Sequence, residues 1–515
     1  MARAILSVSD KRGIETLARA LHGLGYEIVA TGGTATAIEA AGIPVRTVES
    51  VTGAPEMLGG RVKTLHPSVH GGILARRDVA EDMAALARHG IATIDVVVVN
   101  LYPFRDAVAR GADLGEAVEE IDIGGPSLVR AAAKNHRFVV VVVDPQDYPR
   151  LVEEIAAGGP DDAARLAYAR KAFAHTAGYD SEIAAYLLER TAPATFPERL
   201  TLALEGGVTL RYGENPHQRA AFYRDPLPAP GSIATAVQLG GKELSYNNLM
   251  DADAAWRLAG EFDEVAAVAV KHASPCGVAL GGSVREAFVR ARDADPEAIF
   301  GGIVAVNRPV DGALAAALAD LFLEVVVAPA FLPEARERLR ARRNLRLLEV
   351  PGGRPASARG PLPVYQVQRV GGGVLLQERD AIDLDPEHLR VVSRRAPSAA
   401  EMVDLRFAWR VAKHVRSNAI VLARDGCTTG IGGGNVSRVG AVRAAVAQAD
   451  ARAAGSVLAS DAFFPMADGV EVAAAAGVRA IIQPGGSVRD DDVIMAADRA
   501  DVAMVTTGIR HFRHS

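Results

Sequence analysis

Ala2-Arg3-Ala4-Ile5-Leu6-Ser7-Val8-Ser9-Asp10-Lys11 opens the chain after Met1. Residues 2–8 are a short apolar run and read as a strand. Residues 11–24 follow with Ile14, Leu17, Ala18 and Leu21 at helical spacing. Residues 26–30 read as a second strand, and Thr31-Gly32-Gly33-Thr34 as the turn after it. Two more β-branched runs, 94–99 and 138–143, are of the buried parallel kind, with helical segments between them. Strands and helices alternate up to about residue 150, which predicts a doubly wound α/β domain. An Ala-rich helix is expected over 161–190. Residues 191–199 (TAPATFPER) carry two prolines and read as a linker.

A second α/β region is expected from about residue 200. Its strand runs are 265–270, 299–306, 324–328, 419–422 and 480–482. Residues 354–363, rich in Pro, Gly, Ala and Arg, read as a loop between two sub-units. Strand, glycine-bearing loop and helix occur near 265–295 and again near 419–449, which hints at a duplicated unit. The apolar stretch 313–332 carries Asp320, Glu324 and Pro329, so it reads as a helix followed by a strand and not as a membrane span.

The 515 residues contain 57 Lys+Arg and 62 Asp+Glu, a net charge of −5. That balance argues against nucleic-acid binding, which needs a dense basic face. Cys276 and Cys427 cannot make a disulfide framework and suggest a reducing compartment. Met1-Ala2-Arg3 does not open like a signal peptide, so a cytoplasmic protein is expected. Only seven basic residues are lysine: Lys11, Lys63, Lys134, Lys171, Lys242, Lys271 and Lys413. In so Arg-rich a chain each lysine is a candidate for a place that needs a compact, tunable charge, against chance retention on the surface. Lys171 and Lys413 have no chemical neighbours in sequence and read as surface residues.

Ser7, Ser9 and Lys11 lie where the first strand becomes a helix, and Thr31, Gly32, Gly33 and Thr34 repeat the arrangement after the second. Two such loops side by side suit a phosphate. In Gly59-Gly60-Arg61-Val62-Lys63-Thr64-Leu65-His66-Pro67, polar residues crowd behind a glycine pair. Asn100-Leu101-Tyr102 ends a buried strand, where α/β sites lie. Asp122 precedes Gly124-Gly125, and Lys134 follows twelve residues later. An Asp, a Tyr and two Lys suit proton transfer and oxyanion stabilisation.

In the second region Arg211-Tyr212 opens a polar, turn-forming stretch that suits an anion. Lys271-His272 terminates an apolar strand and precedes Ser274-Pro275-Cys276-Gly277, read as a turn. The pair offers a cation for an oxyanion and a base near neutral pH. Zinc-deaminase chemistry needs P-C-x-x-C; here Cys276 is followed by Gly277-Val278-Ala279, so no such site is expected. Residues 430–438 read as a glycine-rich strand-to-helix loop that fits neither the dinucleotide nor the Walker pattern. Residues 460–465 offer aromatic faces for a ring. The terminal Arg510-His511-Phe512-Arg513-His514 is expected to fold back into a site.

Taken together, SVSDK, TGGT, GGRVKTLHP, NLYPF, IDIGG and AAAKNH in the first region resemble one family. So do RYGENPHQ, KHASPCG, FGGIVAVN, SDAFFP and RHFRH in the second. It is the bifunctional family of phosphoribosylaminoimidazolecarboxamide (AICAR) formyltransferase/IMP cyclohydrolase. The resemblance implies a methylglyoxal-synthase-like cyclohydrolase domain with its helical linker over 1–195. It implies a formyltransferase of two cytidine-deaminase-like units without zinc over 196–515.

It also implies site residues. Lys63, Tyr102, Asp122 and Lys134 would serve cyclisation. Arg61, Thr64, Asn100, Gly124 and the two phosphate loops would hold the nucleotide. Lys271 and His272 would serve formyl transfer. Arg211, Tyr212, Asn248, Gly301, Gly302, Asn418, Arg438, Phe463, Asp468 and Arg510 would line the nucleotide and folate pockets. The implied co-substrate is 10-formyltetrahydrofolate, with AICAR and formyl-AICAR as the other small molecules. No metal, nucleic acid or membrane partner is implied. A homodimer with the formyltransferase site across its interface is. Two rival readings are a formyltransferase whose first domain senses a phosphorylated ligand, and a non-catalytic nucleotide-binding protein. The presence of all four proposed cyclisation residues speaks against the first, and Lys271-His272 against the second.

Overall fold

The computed structural model describes residues 1–191, 196–353 and 365–514. The predicted loop over 354–363 lies outside them, as do residues 192–195 of the expected linker. The chain divides into two compact units, Met1–Ala203 and Leu204–Ser515.

The first unit is built on five strands: β1 (Arg3–Val8), β2 (Glu27–Ala30), β3 (Arg46–Thr47), β4 (Val96–Asn100) and β5 (Val140–Val142). They form one sheet in the order β3-β2-β1-β4-β5, parallel throughout. The interior strand β4 is four valines and Asn100, all buried, as a strand covered on both faces should be. The helix Ile14–Gly23 packs Ile14, Leu17, Ala18 and Leu21 into the core. β5 is shorter than the expected 138–143, because the backbone N–H groups of Phe138 and Val139 donate to the Asn135 carbonyl at the end of the preceding helix. The helix Asp162–Thr191 lays Tyr168, Ala172, Thr176, Tyr179 and Tyr186 against this unit.

The second unit carries sixteen strands among the described residues. In its first part these are β6 (Glu205–Leu210), β7 (Ala220–Arg224), β8 (Val237–Gly240), β9 (Ala266–Lys271), β10 (Ser274–Leu280), β11 (Ile303–Val306), β12 (Val325–Ala328) and β13 (Arg346–Glu349). Then come β14 (Tyr365–Val370), β15 (Gly373–Glu378), β16 (Arg390–Val391), β17 (Ile420–Arg424), β18 (Cys427–Gly432), β19 (Val457–Ser460), β20 (Ala480–Gln483) and β21 (Ala503–Thr506). β6–β7 and β14–β15 are separate hairpins; the other twelve form one sheet.

The order of that sheet is β16-β21-β20-β19-β17-β18-β10-β9-β11-β12-β13-β8. Outward from the β10–β18 seam both halves run alike, β9-β11-β12-β13-β8 on one side and β17-β19-β20-β21-β16 on the other. Helices repeat in step: Tyr246–Ala259 with Ala399–Ala412, Val284–Ala294 with Arg438–Ala449, Gly312–Ala319 with Asp468–Ala475, and Pro333–Arg340 with Asp490–Arg499. The seam is antiparallel, pairing Ala279 with Cys427, and Thr428 Oγ1 accepts from Val278 N at 3.0 Å.

Two segments differ from their sequence reading. Ser274-Pro275-Cys276-Gly277 is not a turn but the start of β10, and the first three residues of the glycine-rich run 430–438 complete β18. The glycines there serve close packing: a methyl on Gly277 would sit 2.0 Å from the Ala291 carbonyl oxygen, and one on Gly430 2.1 Å from that of Ala445. In both halves a helix lies directly on the strand.

Candidate active sites

In the first unit the polar loops gather at the carboxyl ends of β1, β2 and β4. Ser7 Oγ and Thr31 Oγ1 are 2.8 Å apart, and Thr34 Oγ1 accepts from Val8 N at 3.1 Å. Buried Asn100 accepts from the backbone N–H of Ser9 (2.6 Å) and Asp10 (2.8 Å), which fixes the loop after β1 to β4. Lys11 Nζ donates to Val8 O at 2.7 Å and lies beside Gly33. Burial pulls its pKa down. Gly32 and Gly33 open the helix Gly32–Ala40, whose free N–H groups join the same cradle.

Lys63 faces Gly32, so the GGRVKT loop closes over the loop after β2. Its Nζ sits between Glu49 (2.5 Å) and Glu56 (3.2 Å). Burial works against its charge, but the two carboxylates outweigh it and raise the pKa. Neither glutamate was singled out in sequence, since neither stands in a motif with Lys63. Asp122 is gripped by Gly125 N at 2.8 Å and also bonded by the backbone of Tyr102 and Gly124. Burial nevertheless pushes its carboxyl above the usual range. Tyr102 is half exposed, and its pKa is raised by burial and by the nearby charges of Asp122 and Glu120. Thr64 lies under Gly124, where an added methyl would come within 2.6 Å of Thr64 Oγ1. Tyr179 orders this loop from the long helix: its hydroxyl accepts from Asp122 N (2.9 Å) and donates to Glu120 O (3.0 Å). Arg61 is exposed at the rim and paired with Glu119.

Lys134 is not brought to this cluster within the chain. It ends the helix Gly124–Lys134 that Asp122 precedes, about 15 Å away along the axis. It lines a cavity of about 510 Å³ with Arg130, His136, Leu74 and Phe173. Two other lysines depart from their surface reading. Lys171 bridges Asp144 (2.6 Å) and Asp147 (2.7 Å), and Lys413 pairs with Glu261 at 3.3 Å.

In the second unit the pairing registers put the end of β9, the starts of β11 and β17, and the ends of β18, β19 and β21 on one sheet edge. Lys271 Nζ donates to Phe300 O at 2.9 Å, beside Gly301 and Gly302. His272 is exposed in the two-residue turn from β9 to β10. Asn248 is buried, and its side chain closes the capping box with Ser245. Tyr212 O accepts from Tyr246 N (3.4 Å), which brings Arg211, stacked on the Tyr212 ring, to the start of that helix.

A second cluster surrounds Asn418. Arg438 is buried and donates to Asn418 Oδ1 (2.8 Å), Ala419 O (3.0 Å) and Asp461. Its guanidinium is thus placed to hold Asn418 rather than to meet a ligand. Asn418 also donates to Asn435 O at 2.9 Å. Asp461, fully buried, accepts from Ser417, Ala419 N and Arg438; the sequence reading missed it because it sits at a strand end beside more conspicuous aromatics. The terminal segment does fold back: His511 N donates to Asp461 O (3.0 Å) and Ser417 N to Arg513 O (2.8 Å). Arg510, Phe463 and Asp468 are exposed on this side.

The two clusters do not meet in one chain. β10 and β18 separate β9 from β17, three strand spacings or about 14 Å. Among the described residues no three His, Cys, Asp or Glu are grouped to hold a metal.

Residues 132–448 match the family model described as AICARFT/IMPCHase bienzyme, and residues 13–127 match that of the MGS-like domain. The chain is 52% identical over 522 residues to the bifunctional purine biosynthesis protein PurH of Anoxybacillus flavithermus (strain DSM 21510 / WK1), with 99% of each chain covered. It is 52% identical over 514 residues to PurH of Thermoanaerobacter sp. (strain X514), again with 99% of each covered. A solved structure described as the crystal structure of ForH shares 40% identity, covers 36% of this chain and 95% of its own, and has a TM-score of 0.33.

Proposed function

Because this chain belongs to the AICARFT/IMPCHase bienzyme family, we propose how its two clusters divide the family's two reactions. The enzyme catalyses the last two steps of IMP synthesis. A formyl group passes from 10-formyltetrahydrofolate to the AICAR amine, and formyl-AICAR then closes to IMP with loss of water.

Ring closure is assigned to the first unit. The carboxamide nitrogen adds to the formyl carbon of the same molecule. One N–H proton leaves to the base and the formyl oxygen becomes an oxyanion. That oxygen takes up two protons in all and departs as water as a second N–H proton is lost, so the protons leaving nitrogen balance those reaching oxygen. Asp122 takes the proton: a carboxylate with a raised pKa is the better base. Lys63, kept protonated by Glu49 and Glu56, faces the oxyanion, with Tyr102 beside both. Ser7, Ser9, Lys11 and residues 31–34 hold the phosphate, and Arg61, Thr64, Asn100 and Gly124 the rest of the nucleotide. Lys134, at the far end of its helix, is given no direct step. The convergence of Lys63, Tyr102 and Asp122 beside the phosphate loops is the observation that carries this reading.

Formyl transfer is assigned to Lys271 and His272. The AICAR amine is deactivated by its ring carboxamide, so His272 accepts its proton as it attacks the formyl carbon. Lys271 stabilises the resulting oxyanion, and tetrahydrofolate leaves. Arg211, Tyr212, Asn248, Gly301 and Gly302 line the pocket on that side; Asn418, Phe463, Asp468 and Arg510 line it on the other, with Arg438 behind Asn418. The 14 Å between these groups is bridged in a homodimer, where the Asn418 cluster of one copy completes the Lys271 cluster of the other. The two halves of the sheet are read as cytidine-deaminase-like units, the domain boundary as near 195, and the setting as cytoplasmic.

Supplying AICAR and 10-formyltetrahydrofolate tests the assignment: formyl-AICAR forms first and IMP follows. Formyl-AICAR accumulating without IMP would remove the cyclohydrolase assignment.

A further inference from the structure

The duplicated halves of the second unit make the same hairpin with different residues. β9 and β10 pair Lys271 with Ser274 across His272–Ala273, and β17 and β18 pair Arg424 with Cys427 across Asp425–Gly426. All four turn residues have positive φ: His272 54°, Ala273 56°, Asp425 55° and Gly426 65°. This is the two-residue hairpin turn in which Asp-Gly is a preferred pair. His-Ala is not: both side chains crowd the backbone in the left-handed region.

Each turn is held by an aspartate from the matching helix. Asp404 Oδ2 accepts from Asp425 N at 2.8 Å and its Oδ1 from Gly426 N at 2.7 Å. Asp251 Oδ1 accepts from Ala273 N at 2.7 Å, and the His272 backbone also bonds to that carboxylate. Asp251 is 7% exposed and Asp404 9%. A favourable Asp-Gly turn keeps its shape largely unaided, whereas the His-Ala turn depends on its clamp. Only that turn carries a group assigned to chemistry.

We propose that Asp251 is a positioning residue for formyl transfer, its buried carboxylate holding the unfavourable His272–Ala273 turn so that the imidazole meets the AICAR amine. The inference rests on the reading of His272 as the base. Asp251→Asn replaces one acceptor oxygen with an amide that cannot accept the second N–H. The turn loosens, and a catalytic group displaced by about 1 Å loses up to roughly 100-fold in rate.

The test measures formyl transfer and, with added formyl-AICAR, cyclisation, in the full-length enzyme. Asp251→Asn is expected to lower kcat for formyl transfer at least about tenfold. KM for AICAR and folate should stay within about threefold, because binding groups are untouched. Adding Ala273→Gly to Asp251→Asn, which relieves one strained position, should restore part of kcat. Asp404→Asn should leave formyl transfer near wild type, and cyclisation should be unchanged throughout. Wild-type kcat in Asp251→Asn, or equal losses in Asp251→Asn and Asp404→Asn, would overturn the proposal. His272→Ala run alongside separates the two levels. If it keeps full formyl transfer, the reading of His272 falls and the proposal with it. If it loses transfer while Asp251→Asn does not, only the positioning role falls.

Discussion

In the first unit the loops after β1 and β2, Lys63 in the β3–β4 connection, and Tyr102 and Asp122 after β4 gather at one end of a parallel sheet. In the second unit Lys271 and Asn418 share a sheet edge, yet β10 and β18 stand between them. The difference follows from strand direction. In a parallel sheet every strand ends on the same edge, so consecutive loops become neighbours. A duplicated unit joined at an antiparallel seam puts the hairpin of one half beside the strand starts of the other, with the seam strands in the gap. One plan gathers its groups within a chain; for the other we propose completion by a second copy.

The largest expected effect tests separability. His272→Ala should lower formyl transfer by roughly 10²–10⁴-fold, the range for a general base; a loss under tenfold would remove it from that role. Lys63→Ala should lower cyclisation of added formyl-AICAR by roughly 10²–10³-fold, as for loss of an oxyanion donor. Formyl transfer in that variant should be unaffected. Subunit mixing tests the second plan directly. His272→Ala and Asn418→Ala chains, each inactive alone, are unfolded together and refolded. Random pairing should recover roughly a quarter of wild-type formyl transfer, because half the dimers carry one intact site of two. No recovery would mean the site does not cross between copies.

A smaller effect concerns the phosphate cradle. Lys11→Ala should raise KM for formyl-AICAR by roughly 10–100-fold, the equivalent of one charged hydrogen bond at about 1.5–3 kcal/mol. The pH profile of cyclisation is the finest test. Asp122 must be ionised to act, so the rate falls as pH drops through its pKa. Burial raises that pKa, which puts the acid limb above 3.8. Lys63 must keep its proton, and its carboxylate partners place the alkaline limb above 10.5. Glu49→Gln should move the alkaline limb to lower pH, since one of the two carboxylates that raise the Lys63 pKa is gone; an unmoved limb would mean the pair does not set the charge of Lys63.

Much of this was legible in the chain itself. The valine run of β4, the helical spacing of Ile14, Leu17 and Leu21, and the SVSDK and TGGT loops are local patterns; they predicted four of the five strands of the first sheet and set the loops after β1 and β2 side by side, while the two-residue β3 left no pattern to read. β10 was not legible, because Pro275 and Gly277 look like a turn unless the tight contact with Ala291 is known. The supporting carboxylates were hidden too. Glu49 lies fourteen residues from Lys63, Asp251 meets Ala273 from 22 residues away, and Asp461 meets Arg438 from 23. Such partners are made by packing, and nothing next to them in sequence announces it. Lys171 was misread for the same reason, with its partners 24 and 27 residues distant. Scarcity singled out Lys134 as well, but its helix carries it away from Asp122.

The central claim is that the enzyme holds two separable sites. It is tested most directly by feeding formyl-AICAR to His272→Ala enzyme and measuring IMP formation. The account predicts the wild-type rate of ring closure in an enzyme that no longer transfers formyl groups. Loss of both activities in a variant that still folds would contradict it.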